Sequence, residues 1–320
     1  SSTPTLTKPP GQLVWPEMQP DFVVGPVQVE VSATSANLGP GYDCLGVTLD
    51  IHDHLTAEVT PGVLEISVVG EGADEVRLDD SHLVIRAMHK GFAALDAQPP
   101  GIRLHCENEI PHSRGLGSSS AAIVGGLLLA RSLVVDGDRN LSQQALLELA
   151  NQMEGHPDNV APAILGGLVV SGQSAEEVWA TRAPIAADLD GVVFIPAAGA
   201  STHSTRAILP QTIDHADAAA NTGRAALLLR ALHENPEHLM RATEDFLHQP
   251  FRAQAMPESA ALMARLRAGG HAAVISGAGP TVLCFNNRGD DGAAQISRHA
   301  PSGWRVRRVV LGGPGGRVLS

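Results

Sequence analysis

The chain contains 320 residues, of which 43% are hydrophobic, and this length suffices for a sizeable core and for two domains that share a cleft. Its net charge of -12 disfavours nucleic acid as a partner, because binding to nucleic-acid phosphates requires a surplus of basic residues. Three cysteines without a Cys-x-x-Cys spacing argue against a zinc site and favour a reduced, cytoplasmic location. No apolar run is long enough to span a bilayer, so we expect no membrane partner and a small-molecule ligand.

The predicted elements form a mixed pattern. The first 26 residues hold six prolines, which prevent regular structure, so an extended arm is predicted over residues 1–26. Apolar periodicity then predicts strands near 27–31, 47–51 and 64–69, a helix near 83–95, a strand near 102–106, helices near 121–130 and 142–154, and strands near 168–171 and 192–195. Next come helices near 216–232, 237–247 and 259–267, which alternate with strands near 272–275, 281–285 and 305–311. This pattern predicts an α+β protein with domains at 27–184 and 185–320.

The most informative stretch lies between the strand that ends at Cys106 and the apolar helix that follows. Gly115 and Gly117 have no side chains to hold the backbone away from a ligand. Three serines follow at the helix start, where unpaired amides and the positive end of the helix dipole attract anions. The sequence therefore predicts a phosphate cradle that opens into a buried helix. Its residues are Pro111, His112, Ser113, Arg114, Gly115, Leu116, Gly117, Ser118, Ser119, Ser120 and Ala121.

Other interpretations of this stretch fit less well. Glycine and serine also cap and connect helices without a ligand, so a purely structural turn is one alternative. A P-loop needs a lysine after its last glycine, and the only lysines are Lys8 and Lys90. A dinucleotide fingerprint needs a third glycine where Ser120 stands. A cradle of amides and hydroxyls, completed by Mg²⁺, remains.

Three further segments combine turn residues with polar side chains. Ser35–Asp43 links two predicted strands and carries Asn37 and Asp43, although each of these could simply form a turn. Glu154–Asn159 is polar and directly precedes an apolar run, and the structural alternative is a helix end followed by a turn. Ser276–Thr281 lies between two apolar strands and could be a hairpin loop, or a place where backbone approaches a ligand.

Residues 35–43, 111–121 and 276–281 resemble the three motifs of the GHMP kinase superfamily, in order and at the usual separations. Within it, Ser-Ala-Asn-Leu-Gly-Pro-Gly-Tyr-Asp-Cys-Leu-Gly at 35–46 and Glu-Gly-His-Pro-Asp-Asn-Val-Ala-Pro-Ala at 154–163 are similar to the homoserine kinase branch rather than to the mevalonate or galactose branches. The resemblance implies ATP-dependent phosphorylation of the side-chain hydroxyl of L-homoserine for threonine synthesis. It also implies two domains, an N-terminal one like domain 2 of ribosomal protein S5 and a ferredoxin-like C-terminal one.

The same resemblance implies roles at the nucleotide. Residues 111–121 would wrap the ATP phosphates, with Ser119 and Glu148 as Mg²⁺ ligands, because a hard cation prefers hydroxyl and carboxylate oxygens. Ser118 is the alternative hydroxyl. Taken alone, Glu148 would be a solvated glutamate on the polar side of a helix.

Homoserine is a zwitterion, so its ammonium needs an anion and its carboxylate needs a fork of donors. The resemblance implies Asp43 for the ammonium and Arg206 with Arg252 for the carboxylate, and Asn159 and Arg206 are the expected catalytic residues. The complete expected substrate set is Asn37, Asp43, His156, Asn159, Thr202, Arg206 and Arg252.

Asn159 stands where the mevalonate branch has an aspartate thought to act as a base. Because an amide cannot take a proton from an alcohol at neutral pH, we expect catalysis by positioning. In this hypothesis Asn159 orients the hydroxyl, while Mg²⁺, the helix terminus and the cradle amides stabilise the charge.

Two other functions remain open at this stage. One is phosphorylation of another small alcohol by a kinase of the same superfamily, and the other is a non-catalytic sensor of nucleotide or amino acid. The 14 histidines, including His52 and His54, are only a weak indication of metal binding. The resemblance also favours a homodimer.

Overall fold

The computed structural model describes residues 20–199 and 202–319, without the side chains of residues 202–204. Up to residue 183 the elements are β1 (Val27–Ala36), β2 (Leu45–Val59), β3 (Glu65–Gly70), α1 (Leu83–Ala94), β4 (Ile102–Asn108), α2 (Ser118–Leu133), α3 (Gly137–Asn140), α4 (Gln143–Glu154), α5 (Pro157–Leu165), β5 (Leu168–Gln173) and β6 (Val178–Ala183). The later elements are β7 (Asp190–Ile195), α6 (Thr202–Ala207), α7 (His215–His233), α8 (Leu239–Ala242), α9 (Gln249–Arg252), α10 (Pro257–Ala268), β8 (Ala273–Ile275), β9 (Val282–Asn286), α11 (Gly289–Ser297), β10 (Arg305–Val310) and β11 (Arg317–Val318). Short 3₁₀ helices cover Pro236–His238 and Ala253–Ala255. The predicted α+β class is confirmed.

The strands form two separate sheets. The first has the order β11-β1-β2-β4-β3, with β5 paired to β2 and β6 paired to β5, and only its β3–β4 pair is parallel. The second is antiparallel and has the order β10-β7-β9-β8. The C-terminal strand β11 returns to the first sheet, where Val318 lies opposite Val29 of β1. The predicted domain boundary at residue 185 stays a prediction. It assigned all of residues 185–320 to the second domain, although β11 pairs with β1 in the first sheet.

Helix α2 packs on β1 of the first sheet and lies alongside α1. Its apolar residues occupy every side, so most of the helix is buried. In the second sheet every residue of β7 is buried, because both faces are covered. Val192 and Phe194 pack with residues of α10 and α11, whereas Val193 shares a core with Leu228 of α7.

The ends of α4 agree with the sequence pattern, but the next helix was missed. The Ser142 hydroxyl accepts a hydrogen bond from the Ala145 amide at 3.1 Å, and Gly155, with φ 94°, ends the helix. The polar turn after Gly155 leads directly into α5, which begins at Pro157. Proline suits this first helical position because its missing N–H would have no partner there.

The helix predicted near 237–247 is too long, because helical structure ends at Ala242. The segment contains the single turn α8, and the chain then changes direction before α9. The Thr243 hydroxyl donates to the Leu239 carbonyl at 2.7 Å, and the Asp245 carboxylate accepts from the Leu247 amide at 2.8 Å. The Thr243 amide still donates to the Leu239 carbonyl at 3.0 Å, whereas the Asp245 carboxylate takes up the amides that follow it, since aspartate competes for backbone groups.

Most of the predicted arm, residues 1–19, lies outside the described residues. At its end, Phe22 forms a bridge with Val134, which follows α2. Among the helices that the structure describes, none combines the length and the apolar character needed to cross a membrane.

Candidate active site

Three glycine-containing loops meet at the N-terminus of α2. The loop between β8 and β9 contacts the cradle through Ser276, whose hydroxyl donates to the Gly115 carbonyl at 2.7 Å. The same loop contacts the end of β1, because the Gly277 amide donates to the Ala36 carbonyl at 3.0 Å. Hydrogen bonds therefore join segments that are far apart in the sequence.

Gly115 and Gly117 both have positive φ angles, 77° and 72°. A Cβ on Gly117 would lie 2.1 Å from the Thr34 hydroxyl, and one on Gly115 would lie 2.3 Å from the Ser276 carbonyl. From the sequence alone, these glycines are expected to let a ligand approach the backbone. In the structure, backbone conformation and close protein neighbours already require glycine at both positions.

Two cavities adjoin the first turn of α2, and Ser113, Ser118 and Ser119 line both. The larger, of about 330 Å³, lies against β2, β4 and the start of α1. The smaller, of about 220 Å³, lies against α5, α6, α9 and the β8–β9 loop. The shared serines place the helix terminus where contents of the two cavities can meet.

The larger cavity contains partly desolvated polar groups. His82 precedes α1, is 7% exposed, and has no partner for Nδ1 among the described residues. Burial lowers the pKa of His82 and also that of His112, so both rings favour the neutral form. Burial raises the pKa of Asp53 to about 7, although its Oδ1 accepts the Glu109 and Ile110 amides at 2.8 and 2.9 Å.

The predicted cradle divides into two groups. His112, Ser113, Gly115, Gly117, Ser118 and Ser119 line one or both cavities. Four residues are buried in the protein instead, namely Pro111, Leu116, Ser120 and Ala121.

The Arg114 side chain binds backbone carbonyls of the protein and lines neither cavity. Its guanidinium donates to the Pro196 carbonyl at 3.2 Å, to the His112 carbonyl at 2.6 Å, and to the Ala197 carbonyl. Pro196 and Ala197 follow β7 and precede α6, so Arg114 connects the cradle to the second sheet.

In the structure Ser119 contacts Glu154, and the predicted metal pair of Ser119 and Glu148 stays a prediction. Ser119 Oγ donates to both carboxylate oxygens of Glu154, at 2.8 and 3.1 Å. Glu148 is exposed on α4, its Oε1 accepts from Gln144 at 3.1 Å, and it lines neither cavity described here. Glu154 ends α4, and this last turn, rather than the preceding one, reaches the start of α2. The sequence contained Glu154 within a marked polar segment but nothing that assigned it to a cation.

Most of the predicted substrate residues come together in the smaller cavity. Those that line it are Asn37, His156, Asn159, Arg206 and Arg252. Asp43 joins them through Arg206, whose two terminal nitrogens bind its carboxylate oxygens at 2.7 and 2.8 Å. The hydrogen bond to Asp43 raises the pKa of Arg206. The side chain of Thr202 lies outside the described residues.

Arg252 is 1% exposed, an unusual degree of burial for a guanidinium. It donates to His248 Nδ1 at 3.0 Å and to the Thr205 carbonyl at 3.3 Å, and it lies 5.6 Å from the centre of the Tyr42 ring. Arg206 lies 5.5 Å from the same ring. Tyr42 therefore holds two cations at one edge of the cavity, a role that the sequence analysis did not assign.

Asn37 connects two of the loops. Its Nδ2 donates to the Gly277 carbonyl at 2.9 Å, and its Oδ1 accepts from the Asp43 amide at 3.0 Å. Both Asn37 and Asp43 have positive φ angles, which asparagine and aspartate tolerate better than most residues. The structure therefore supports the turn interpretation and the pocket interpretation together.

Helix α5 brings its first turn to the cavity. His156 Nδ1 lies 2.7 Å from Asp158 Oδ1, and Asp158 is 2% exposed. Burial alone would lower the pKa of His156, but the hydrogen bond and the charges of Asp158 and Glu154 raise it above its ordinary value. Asp158 was not among the expected site residues. One position further on, Asn159 accepts at Oδ1 from the Thr34 hydroxyl at 2.7 Å.

Comparison with known proteins agrees with this geometry. The family models for the GHMP kinases N terminal domain and the GHMP kinases C terminal domain match residues 82–167 and 218–302. The fold and the site thus define a GHMP kinase.

Similar proteins assign the chain to a narrower family within the GHMP kinases. The homoserine kinase of Streptomyces avermitilis is 48% identical over 300 residues, which span 94% of this chain and 98% of that protein. That of Mycolicibacterium smegmatis is 45% identical over 290 residues, spanning 88% and 92%. The chain belongs to the homoserine kinase family.

Solved structures agree on the fold. A crystal structure of homoserine kinase from Cytophaga hutchinsonii superposes with a TM-score of 0.80 at 23% identity, over 96% of this chain and all of that one. The predicted two-domain GHMP kinase fold is confirmed.

Proposed function

We propose that the protein transfers the γ-phosphoryl group of ATP to the side-chain hydroxyl of L-homoserine, giving O-phospho-L-homoserine. The observation that carries this proposal is the smaller cavity, which combines the α2 terminus with two arginines, one of them paired with the Asp43 carboxylate. A zwitterionic amino acid with a terminal hydroxyl matches that set of groups. Homoserine kinases at 45–48% identity over most of the chain support the same assignment.

In this proposal the ATP phosphates lie at the first turn of α2, where free amides and the helix dipole favour negative charge. The nucleoside occupies the larger cavity, which shares Ser113, Ser118 and Ser119 with the smaller one. His82 lines the same cavity, and burial lowers its pKa, so its ring is neutral beside the nucleoside.

Ser119 and Glu154 would hold Mg²⁺. Their donor set fits, because Mg²⁺ in phosphoryl-transfer sites takes one or two protein oxygens and completes its shell with phosphate oxygens and water. No cluster of three or more acidic, histidine or cysteine side chains suitable for a metal occurs in residues 20–199 or 202–319, so a cage made by protein alone is not the alternative there. When bound, the ion would neutralise charge on the phosphates.

The homoserine zwitterion would enter the ion pair of Asp43 and Arg206. Its ammonium then binds Asp43, while its carboxylate takes the guanidiniums of Arg206 and Arg252. Because Arg252 is fixed by His248 and the Thr205 carbonyl, the carboxylate meets a donor whose geometry is already set.

Asn159 would orient the reacting hydroxyl. Its Oδ1 is occupied by Thr34, so the free Nδ2 donates to the hydroxyl oxygen. That oxygen attacks the γ-phosphorus, the bond to the β–γ bridging oxygen breaks, and ADP leaves with the electron pair. The hydroxyl proton passes to the transferred phosphoryl group, since an amide accepts no proton at neutral pH.

The direct test is incubation with ATP, Mg²⁺ and L-homoserine, with detection of phosphohomoserine by mass spectrometry and of ADP by a coupled assay. The proposal requires both products, and it requires L-serine and mevalonate to react far more slowly. ADP release that is greatest with another alcohol would assign a different substrate. Binding of both ligands without ADP release would indicate a sensor.

A homodimer and a cytoplasmic location remain part of the proposal. The first derives from the family resemblance and the second from the cysteine content. Light scattering after size-exclusion chromatography tests the assembly state, and cell fractionation tests the location.

A further inference from the structure

Thr34 occupies the place where three elements of the site meet. It lies on β1, is fully buried, and its amide donates to the Leu116 carbonyl of the cradle at 3.0 Å. Its hydroxyl donates to Asn159 Oδ1 on α5 at 2.7 Å. The same hydroxyl would lie 2.1 Å from a Cβ at position 117, so Gly117 leaves the space that Thr34 fills.

The Thr34 hydroxyl binds the oxygen end of the Asn159 amide, and Asn159 lines the smaller cavity. A side-chain amide has one accepting oxygen and one donating nitrogen, and a rotation of 180° exchanges them. Both atoms of this bond are oxygens, so the Thr34 hydroxyl is the donor and the amide oxygen is the acceptor. Nδ2 then points away from Thr34, and no described residue accepts a hydrogen bond from it.

We propose that Thr34 is a positioning residue for phosphoryl transfer, because its hydroxyl holds Asn159 with Nδ2 directed at the reacting oxygen. This inference rests on the proposed function of Asn159 and adds a residue that touches neither substrate. With its hydroxyl removed, the amide can present either end to the cavity. The productive arrangement then forms only part of the time.

A cross-strand partner provides a matched control. Thr48 of β2 lies directly opposite Thr34 in the β1–β2 pairing and is equally buried. Its hydroxyl donates to the Gly313 carbonyl at 2.8 Å and lines neither cavity. Thr48→Val therefore removes a buried threonine hydroxyl from the same sheet position without reaching Asn159.

The experiment measures kcat and both Michaelis constants for the wild-type protein and for Thr34→Val, Thr34→Ser, Thr48→Val, Asn159→Ala and the double variant Thr34→Val/Asn159→Ala. We expect Thr34→Val to lower kcat by about tenfold while each KM changes by less than about twofold. Thr34→Ser should keep most of the activity, because it retains the hydroxyl. Thr48→Val should lower the unfolding temperature and leave kcat at the wild-type value.

The double variant separates positioning from general damage to the fold. If Thr34 acts only through Asn159, Thr34→Val causes no further loss in the Asn159→Ala background. Multiplicative losses would overturn the inference, as would wild-type kcat in Thr34→Val or equal losses in the serine and valine variants. Failure of the wild type and of Thr48→Val to phosphorylate homoserine would instead contradict the proposed function. The same comparison would then be made on the alcohol that does react.

Discussion

The hydroxyls of Ser35 and Ser276 lie 2.8 Å apart, although 241 positions separate them in the sequence. Ser276 also donates to the Gly115 carbonyl, so its one hydroxyl contacts both the end of β1 and the cradle. Both serines are fully buried. The end of β1, the cradle and the β8–β9 loop are therefore joined at a single buried point.

Removal of this junction should affect nucleotide binding. Ser276→Ala leaves the Gly115 carbonyl and the Ser35 hydroxyl without their partner, at a cost of about 1–3 kcal/mol in the free energy of unfolding. We also expect a higher KM for ATP, since the cradle backbone loses its support. Ser32→Ala is the control, because Ser32 is similarly buried but donates to the Pro314 carbonyl. Equal effects of both substitutions on the KM for ATP would contradict the prediction.

Glu154 and Glu148 both lie on α4, so substitution of each tests which one binds the Mg²⁺ ion. Glu154→Gln should raise the Mg²⁺ concentration needed for half-maximal activity by at least about tenfold. Loss of a residue that only orients a metal ligand typically weakens metal affinity by about tenfold or more, and loss of a ligand itself should weaken it at least as much. Glu148→Gln should leave the magnesium titration unchanged, since Glu148 is exposed and binds Gln144. A larger shift for Glu148→Gln would reverse the assignment. The measurement is initial rate against free Mg²⁺ at saturating ATP.

Arg252→Ala should raise the KM for homoserine by roughly tenfold to a hundredfold and leave the KM for ATP almost unchanged, because a charge-assisted bond to the substrate carboxylate is lost. Arg267→Ala is the matched control. Arg267 binds Met240 and Thr243, and burial lowers its pKa as it lowers that of Arg252. We expect the control to lower the unfolding temperature only. Similar rises in both Michaelis constants for Arg252→Ala would remove it from the amino-acid pocket.

Arg114 belongs to the cradle in sequence but binds the segment before α6. Arg114→Ala should therefore raise the KM for homoserine more than the KM for ATP, because α6 carries Arg206 and loses an anchor at Pro196. Steady-state kinetics with each substrate varied in turn measures the two effects. A predominant rise in the KM for ATP would mean that the guanidinium contacts phosphate during the reaction.

The raised pKa of Asp53 predicts that the stability of the protein depends on pH. Burial raises its pKa to about 7, so the folded protein binds this proton more tightly than the unfolded chain does. The resulting stability is complete below the unfolded pKa of about 3.9 and is lost as pH rises through 7. Asp53→Asn keeps an oxygen for the two backbone amides and cannot ionise.

Between pH 5 and 8, the unfolding free energy of the wild type should therefore fall relative to that of Asp53→Asn, by at most about 1.4 kcal/mol per pH unit. Urea titrations at several pH values measure this difference. Asp80→Asn, at an exposed carboxylate, controls for the change in net charge. Parallel pH profiles for the wild type and Asp53→Asn would show that Asp53 ionises normally in the folded protein.

Local sequence determined the class of the protein, because strand alternation, helix burial and glycine turns each depend on a few neighbouring residues. The alternation of β1, the apolar helix α2 and the glycines before it are each readable within about ten positions. The motif strings around Asn37, Gly115 and Asn159 were long enough to indicate the family. The roles of Asp43, Arg206 and Arg252 depended on that resemblance, since nothing local distinguishes them from surface charges.

Only the tertiary structure decided which groups meet. The contact of Ser119 with Glu154 depends on how the end of α4 approaches α2, and the contacts of Arg114 depend on where β7 ends. The bond between Thr34 and Asn159 joins residues 125 positions apart. Sequence patterns record which side of an element is buried, whereas the packing of one element against another selects its partners. For that reason the chemistry could be predicted from the chain alone, but its supporting contacts could not.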